Sequence, residues 1–588
     1  MMPPRRTPIL GRANVALPTG RESAAFDRWA IERRGVPGPV LMENAGREAA
    51  RLLHRLVPRG PVAVVAGSGN NGGDGVVLAR TLTAWGRQVH LLVVEDRPRH
   101  DPLLHGWRPA GLVRIPRAPE EGRDGASGAG QDGWVRTLER SQVVVDALLG
   151  TGIRGAPRPP EARIIQALNA TGLPIFALDV PSGVDADTGA ISGVAVQARW
   201  TVGFGAPKRG TVLHPGREAA GRLLAVEIGF PPWRWGGERG ASARLITPGW
   251  AETRLPRRAL VTHKNTEGRL LLAAGSPGMA GAAILAARAA LAAGVGYLRI
   301  ATPPELRDAV QLAVPSAVWV DGSHDGALVD AVRAGDAIAA GPGLGQGRAA
   351  VRTLRTLLAA RSEAATGPGQ GVPLLLDADA LNLLARGELG PLDPGPAADG
   401  PLLLTPHPGE ARRLEAGPGR FGEVDSAHRG EGRGGLGPNG EEAREVPGDP
   451  GRRAVALAGA TRATVLLKGN PSVVAVPDPS LPVLFAATSS SSLARAGMGD
   501  VLTGVAGALL ARGLPPDEGA ALALHLTGVA AWPPDRARAD AGEGQGAIPY
   551  SPLPEEVAKG VARCMGGGGE GESELDDPAL LLDLPAPW

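Results

Sequence analysis

The 588-residue chain exceeds the roughly 100–200 residues typical of one domain, and at 43% hydrophobic it can build at least two cores. Its 62 basic and 60 acidic residues leave a net charge of +2 with no basic block, which speaks against a nucleic-acid partner, and a single cysteine, Cys564, excludes an internal disulfide framework or a cysteine-based metal cluster. Met1–Leu10 carries arginines without an apolar run behind them, and the longest apolar stretch, Met279–Leu298, is broken by Arg288, so neither secretion nor a membrane span is expected and the protein should be soluble and cytoplasmic.

The first half alternates strand-like runs (Val62–Ala66, Val89–Val94, Val143–Asp146, Ile175–Asp179, Trp200–Phe204, Leu223–Glu227) with helical patterns such as Met42–Leu56 and Pro160–Ala170. This predicts a doubly wound α/β sheet with its functional residues at the carboxyl ends of the strands. Val62–Gly67 leads into Asn70, Asn71, Gly72, Gly73, Asp74 and Gly75. The glycines predict a loop of bare N–H groups which, with a helix starting over Val76–Thr83, seats a phosphate. The asparagines and Asp74 add oxygens for a ribose hydroxyl or a hard cation. Asp146 ends the next strand and precedes Gly150, Thr151, Gly152, Ile153, Arg154, Gly155 and Ala156, a second set of phosphate-facing amides. Asp179 and Ser182 follow another strand, where they either join the same crevice or simply cap the turn.

Only four basic residues are lysine: Lys208, Lys264, Lys468 and Lys559. In so arginine-rich a chain, a lysine marks a place suited to a compact point charge, as against phosphate. Lys208, after Phe204–Pro207, either turns to phosphate or lies on the surface.

Pro231–Gly240 breaks the pattern and a second series begins, with runs at Leu270–Ala274, Leu298–Ile300, Ala337–Ala340, Leu374–Asp377, Leu402–Thr405, Val465–Leu467 and Val473–Val476. The boundary is therefore placed near residue 240, and a fragment ending near 238 is expected to fold alone. Glu120–Gly133, Gly417–Arg452 and Gly566–Asp577 are too rich in glycine and charge to bury a core and read as insertions and a tail; where Leu580–Leu584 docks is not legible. Ala496–Leu502 opens a small-residue helix whose N–H groups form an anion hole beside Asp500, which is either placed to take a proton from an attacking hydroxyl or simply stabilises the helix dipole. Lys468, Gly469, Asn470, Pro471 and Ser472 resemble a nucleotide-phosphate loop, Gly341–Gly345 line another strand end, and Thr405–Glu410 fixes a turn presenting His407 with Glu410. Asp379 suits a helix N-cap, and neither it nor Asp377 is counted in the site.

Leu41–Gly46, the NNGGDG run, Asp146–Gly155, LDVPSGVDADTG and FGAPK together resemble, over about residues 20–230, the NAD(P)H-hydrate epimerases of the YjeF family. The resemblance implies a Rossmann-like three-layer sandwich over residues 1–240. It implies that Asn70–Asp74, Gly150–Ala156 and Asp179 contact hydrated nicotinamide dinucleotide, that Asn71, Asp146 and Ser182 hold a potassium ion, and that Asp179 is the acid/base group interconverting the two C6 hydrates. His263-Lys264, GSPGMAGAAILAARAAL, GPGLG, LDADALNLL, LTPHPGE, LLKGN and GMGDVLTG resemble in this order, over about residues 245–535, the ADP-dependent NAD(P)H-hydrate dehydratases of the ribokinase-like superfamily.

For residues 241–565 this second resemblance implies hydrate contacts at Ala283, Gly343, His407 and Asp500, with Asp500 catalytic. It places ADP, the co-substrate, on Lys468–Ser472 and Gly499, and makes Glu410 a magnesium or water ligand. The C6 hydroxyl would be phosphorylated and phosphate then eliminated. Residues 566–588 would be a disordered tail. The partners implied are small molecules, with no nucleic acid, no membrane, and room for a homo-oligomer. Thr488–Leu493 departs from the Gly-Asn-Pro-Gly common before GMGD in that family. The residues alone also allow a small-alcohol kinase of ribokinase type fused to a dinucleotide sensor, or a first half that only binds.

Overall fold

Val62–Ala66 and Val143–Ala147 are apolar at nearly every position because both faces of their strands are buried, as helices covering a parallel sheet on two sides require. The side chains of Val62, Val64 and Ala66 enter one core and those of Ala63 and Val65 the other. The fold comes from a computed structural model, which describes residues 9–94, 111–116, 129–233, 240–257, 263, 266–365, 371–390, 400–417, 448–488, 493–531, 553–565, 575 and 577–587. Lys264, Ser489–Ser492 and most of the three expected insertions and tail lie outside the described residues.

The chain divides into two packed units, residues 6–244 with 570–587, and residues 245–569. The first unit holds β1 (Leu10–Gly11), β2 (Val62–Ala66), β3 (Val89–Val93), β4 (Leu112–Arg114), β5 (Val143–Ala147), β6 (Ile175–Leu178), β7 (Trp200–Phe204) and β8 (Arg222–Val226). The second series is β9 (Ala243–Ile246), β10 (Arg269–Ala273), β11 (Tyr297–Thr302), β12 (Val318–Asp321), β13 (Ala337–Ala340), β14 (Leu374–Leu376), β15 (Leu402–Leu404), β16 (Thr464–Leu467), β17 (Val473–Ala475) and β18 (Val483–Ala486). A last strand, β19 (Leu580–Leu584), returns to the first unit.

The first sheet runs β1-β19-β8-β7-β6-β5-β2-β3-β4, parallel from β8 to β4. Strand order reverses between β2 and β5, and a crevice opens beyond the carboxyl ends of strands at such a switch point. The second sheet runs β12-β11-β10-β13-β14-β15-β16-β17-β18-β9, parallel from β12 to β16, with the β16–β17 and β17–β18 pairs antiparallel. The small-residue stretch expected to be a buried helix is the helix Ala280–Ala292, and among the described residues no helix is long and apolar enough to cross a membrane.

Two expectations need correction. The NNGGDG run is not a loop before a helix: the helix Asn70–Ala84 begins at Asn70, so the run is its opening turns. Glycine's low helix propensity is overridden here by tertiary packing, since a Cβ at Gly72 would lie 1.9 Å from the Gly67 carbonyl oxygen. The second correction concerns the tail, which is not disordered over Leu580–Leu584. That stretch pairs antiparallel with β8, and Leu580, Leu582 and Leu584 are 3%, 0% and 4% exposed. Arg222 fastens it through a bidentate pair with Asp583 at 2.8 and 2.7 Å. A fragment ending near residue 238 therefore lacks a strand of its own sheet.

Burying three leucines stabilises by about 1.5–3 kcal/mol apiece. A variant ending at residue 574 should thus lower the unfolding midpoint of the first unit by about 10 °C or more and leave the second unit's unchanged. Calorimetry of the two transitions checks this, and an unmoved first transition would show that β19 adds nothing.

Candidate active sites

In the first unit, β2 and β5 deliver Asn71 and Asp146 to the switch point, and Ser182 comes from the turn after β6. Asp146 is 0% exposed. One of its oxygens accepts from Ser182 Oγ at 2.6 Å and from the Leu148 amide at 3.2 Å, and the other accepts from the Ser182 amide at 2.8 Å. No basic side chain pairs with it among the described residues, and burial pushes its pKa up. Asn71 donates to the Leu149 carbonyl at 2.7 Å, while its own Oδ1 is buried without a partner among the described residues. The Leu149 amide in turn donates to Ser182 Oγ at 2.9 Å. A buried carboxylate with no counter-charge beside an orphaned carbonyl oxygen is a donor set that fits a monovalent cation.

Asp179 follows β6 with φ 64°, a left-handed conformation that Asp tolerates better than most residues. It accepts from Lys208 Nζ at 2.5 Å, and Lys208 also donates to the carbonyls of Phe204 at 3.1 Å and Ala206 at 3.2 Å. Lys208 is 2% exposed, so it neither faces a phosphate nor lies on the surface. Gly150 packs above Asn71, a Cβ there lying 3.1 Å from the asparagine's Cβ. Asn70, Gly152, Arg154, Gly155 and Ala156 are exposed on the rim, where Arg154 pairs with Asp187 at 3.1 Å; Asp74, Thr151 and Ile153 are half-buried.

In the second unit the hub is Asp377, just beyond β14 and 1% exposed. Its Oδ1 accepts from Lys468 Nζ and its Oδ2 from Thr503 Oγ1, each at 2.6 Å. These bonds tie β14, the end of β16 and the helix Met498–Ala511 together. The GMGD turn lies over the pair, a Cβ at Gly499 falling 3.4 Å from Lys468 Nζ. Asp500 sits in the first turn of that helix, its pKa pushed up to about 6 by burial and then by the negative charge of Asp377, against the opposing pull of Lys468. Gly341 can only be glycine: its φ is 133° and a Cβ would lie 1.8 Å from the Asp377 carbonyl oxygen.

His407 caps the helix Pro408–Ala416, its Nδ1 accepting from the Gly409 amide at 2.9 Å while Glu410 accepts from the His407 amide at 2.9 Å. Burial first and Lys468 second lower the pKa of His407, which keeps it neutral and able to cap. Glu410 is 5% exposed and committed to this capping box, not presented to a cation. Ala283 is 0% exposed and shapes the wall beside Gly275. Asp379 is not an N-cap; Asp377 holds that position, and Asp379 accepts from the Gly345 amide and Gln346 Nε2 at 2.9 Å each, pinning the Gly341–Gly345 loop that contains Gly343. At Lys468–Ser472 the Ser472 hydroxyl accepts from the Gly469 amide at 3.1 Å, closing the turn.

Sequence reasoning missed Asp377 and Thr503. The rare Lys468 was the available signal for Asp377, since a charge needs a counter-charge once buried, whereas Thr503 is indistinguishable from any helical threonine.

Residues 38–210 match the family described as YjeF-related protein N-terminus, and residues 270–539 match NAD(P)H-hydrate dehydratase. The bifunctional NAD(P)H-hydrate repair enzyme Nnr of Moorella thermoacetica is 34% identical over 574 residues, covering 94% of this chain and 99% of that one. The Salinibacter ruber enzyme of the same name is 36% identical over 534 residues, covering 86% and 90%. The chain belongs to the bifunctional NAD(P)H-hydrate repair enzymes. Among solved structures, the Bacillus subtilis ADP/ATP-dependent NAD(P)H-hydrate dehydratase co-crystallized with ATP/Mg2+ is 27% identical over 54% of this chain and 96% of its own, with a TM-score of 0.40.

If Asp500 is the general base that the sequence suggests, its raised pKa predicts a pH dependence: a base must be ionised, so dehydration is expected to be full well above pH 6 and to fall as pH drops through about 6. Asp500→Asn should lower turnover by about 10²–10⁴ and abolish that limb, with nucleotide affinity retained. The folded pKa lies above that of a free aspartate, so the folded state binds this proton more tightly than the unfolded chain and the ionised carboxylate is a stability cost above pH 6. The Asn variant should therefore be no less stable at neutral pH. Rates and unfolding midpoints across pH 5–8 check both statements.

Proposed function

We propose that the first unit interconverts the R and S hydrates of NAD(P)H and that the second dehydrates the S hydrate, using ADP and releasing AMP and phosphate. The observation that carries the reading is the second unit's arrangement of Asp500 beside the Asp377–Lys468 pair under a helix N-terminus. One carboxylate there is held by lysine and the other is left able to accept a proton. Asp500 takes the C6 hydroxyl proton as that oxygen attacks the terminal phosphorus of ADP, and the amides around Gly497–Gly499 stabilise the charge on the moving phosphoryl group. The C6–O bond then breaks to release phosphate as a C5 proton leaves to water, and the C5–C6 double bond of the reduced ring is restored. Lys468–Ser472 border the nucleotide, with Lys468 contributing charge from its place on Asp377.

Among the described residues no three His, Cys, Asp or Glu side chains group as a metal site. Magnesium would accompany the nucleotide phosphates, where it would neutralise their charge.

In the first unit the amides opening the helix Asn70–Ala84 face the pyrophosphate. Asp179 serves as the acid/base group, oriented by Lys208. Asn71 Oδ1, Ser182 and Asp146 hold potassium, which supplies the positive charge that the buried Asp146 lacks.

Replacing potassium by tetramethylammonium should slow epimerisation by about tenfold or more and leave dehydration of the S hydrate unchanged. Asp146→Asn should be insensitive to the exchange. Cofactor recovery from mixed epimers and from pure S hydrate, in each salt, separates the two activities. Equal sensitivity of both would contradict a cation site confined to the first unit.

A further inference from the structure

One carboxylate near Asp179 belongs to no motif and lies before the family match at residues 38–210. Asp27 sits on the helix Gly20–Arg34, whose buried positions are Gly20, Ser23, Phe26 and Ala30. Positions 23, 27 and 30 share a helical face, so Asp27 lies along the inward stripe and is half-buried.

The helix is fixed at both levels. Thr19 and Glu22 close a capping box, the Gly20 amide donates to Asp187 at 2.6 Å, and the Arg209 amide donates to the Pro18 carbonyl at 2.8 Å. Phe26 stacks on Trp233 with ring centroids 3.9 Å apart. These contacts set the helix against the very turn that carries Lys208.

The charges facing Asp27 are Lys208, Asp179 and its neighbour Arg28. A lysine ammonium has three N–H donors, and Lys208 gives them to Asp179, Phe204 and Ala206. None is left for Asp27, whose carboxylate has no hydrogen-bond or ion-pair partner among the described residues. The two acids thus share one lysine unequally: Asp179 holds it, and Asp27 feels only its field. Burial, the largest influence, with Asp179's negative charge adding to it, pushes the pKa of Asp27 up to about 6. Neighbouring carboxylates whose environments differ in this way divide acid and base roles between them.

We propose that Asp27 is the acid of the epimerisation, giving its proton to the ring nitrogen N1 while Asp179 takes the proton of the C6 hydroxyl. As the O–H proton passes to Asp179, the C6–O bond becomes a carbonyl and the C6–N1 electron pair withdraws to N1, which takes the proton of Asp27. The open aldehyde turns and N1 attacks its other face. The N1 proton returns to Asp27 and the Asp179 proton to the oxygen, so both groups end as they began. The proposal rests on the epimerase reading of this unit.

The test measures epimer exchange in the full chain across pH 5–8, after subtraction of the uncatalysed exchange, for wild type, Asp27→Asn, Asp27→Glu and Asp179→Asn. Dehydration of pure S hydrate in each preparation is the internal control. An acid that must be protonated makes the wild-type rate rise as pH falls towards 6. Asp27→Asn should lose that limb and about 10²–10⁴ in rate, whereas Asp27→Glu should keep the limb and most of the rate. Asp27→Asn with a wild-type rate and profile overturns the proposal. If Asp179→Asn is then inactive, only the role of Asp27 falls; if it too is unaffected, the epimerase site itself is misplaced. Equal loss in the Asn and Glu variants would make Asp27 a packing residue and equally overturn the proposal.

Discussion

In each unit a lysine ammonium at the crevice is tied to a carboxylate just past a strand: Lys208 to Asp179, and Lys468 to Asp377. Both pairs are largely out of water, with Lys208 and Asp377 almost fully enclosed. Removing one member would leave an uncompensated buried charge at a cost of about 3–5 kcal/mol. The pair fixes more than itself. Because the lysine is taken, a second carboxylate in its neighbourhood gains attraction without a hydrogen bond, and burial then dominates. Asp27 and Asp500 are the two acids pushed up to about 6, and each has such a pair among the charges acting on it. The backbone is bent to serve the same end, with φ of 64° at Asp179 and 47° at Ala378, next to Asp377. Such conformations cost of order 1–3 kcal/mol and persist where surrounding contacts over-determine them.

Strand positions were legible because parallel strands buried on both faces write themselves as continuous apolar runs, and Val62–Ala66 leaves no alternative reading. The acids and glycines at their carboxyl ends were legible for the same reason, since a charge placed directly after such a run sits at the crevice. The identity of the cluster members was less so. Lys208 was left between phosphate and surface because sequence shows the charge and not its partner 29 positions away. Asp377 and Asp379 differ only in register: a shift of two positions at the helix start decides which carboxylate reaches Lys468 and which pins Gly345.

Asp27 was invisible for a different reason. In a helix containing Glu22, Arg28, Glu32, Arg33 and Arg34, a single aspartate looks like part of a solvated face. Only tertiary packing by Phe26 and Trp233 shows that it turns inward. The NNGGDG run misled in the opposite direction, since glycine-rich composition predicts a loop by propensity while the packing of Gly72 against Gly67 demands a helix without side chains.

The edge of the first sheet explains why Leu580–Leu584 belongs to it. Without β19, β8 would present unpaired amides and carbonyls along the parallel sheet's edge, a template for association between chains. β19 covers that edge, and its own outer edge is met by the two residues of β1. The opposite edge strand, β4, has only three residues, so both ends of the sheet are short. The arrangement has a kinetic consequence. β8 and β19 are separated by the whole second unit in sequence, and pairing across so long a loop is entropically delayed. Residues 20–226 contain every group proposed for the first site, and they are complete in sequence long before β19 exists. That site's chemistry can therefore be assembled early, while the sheet's full stability waits for β19.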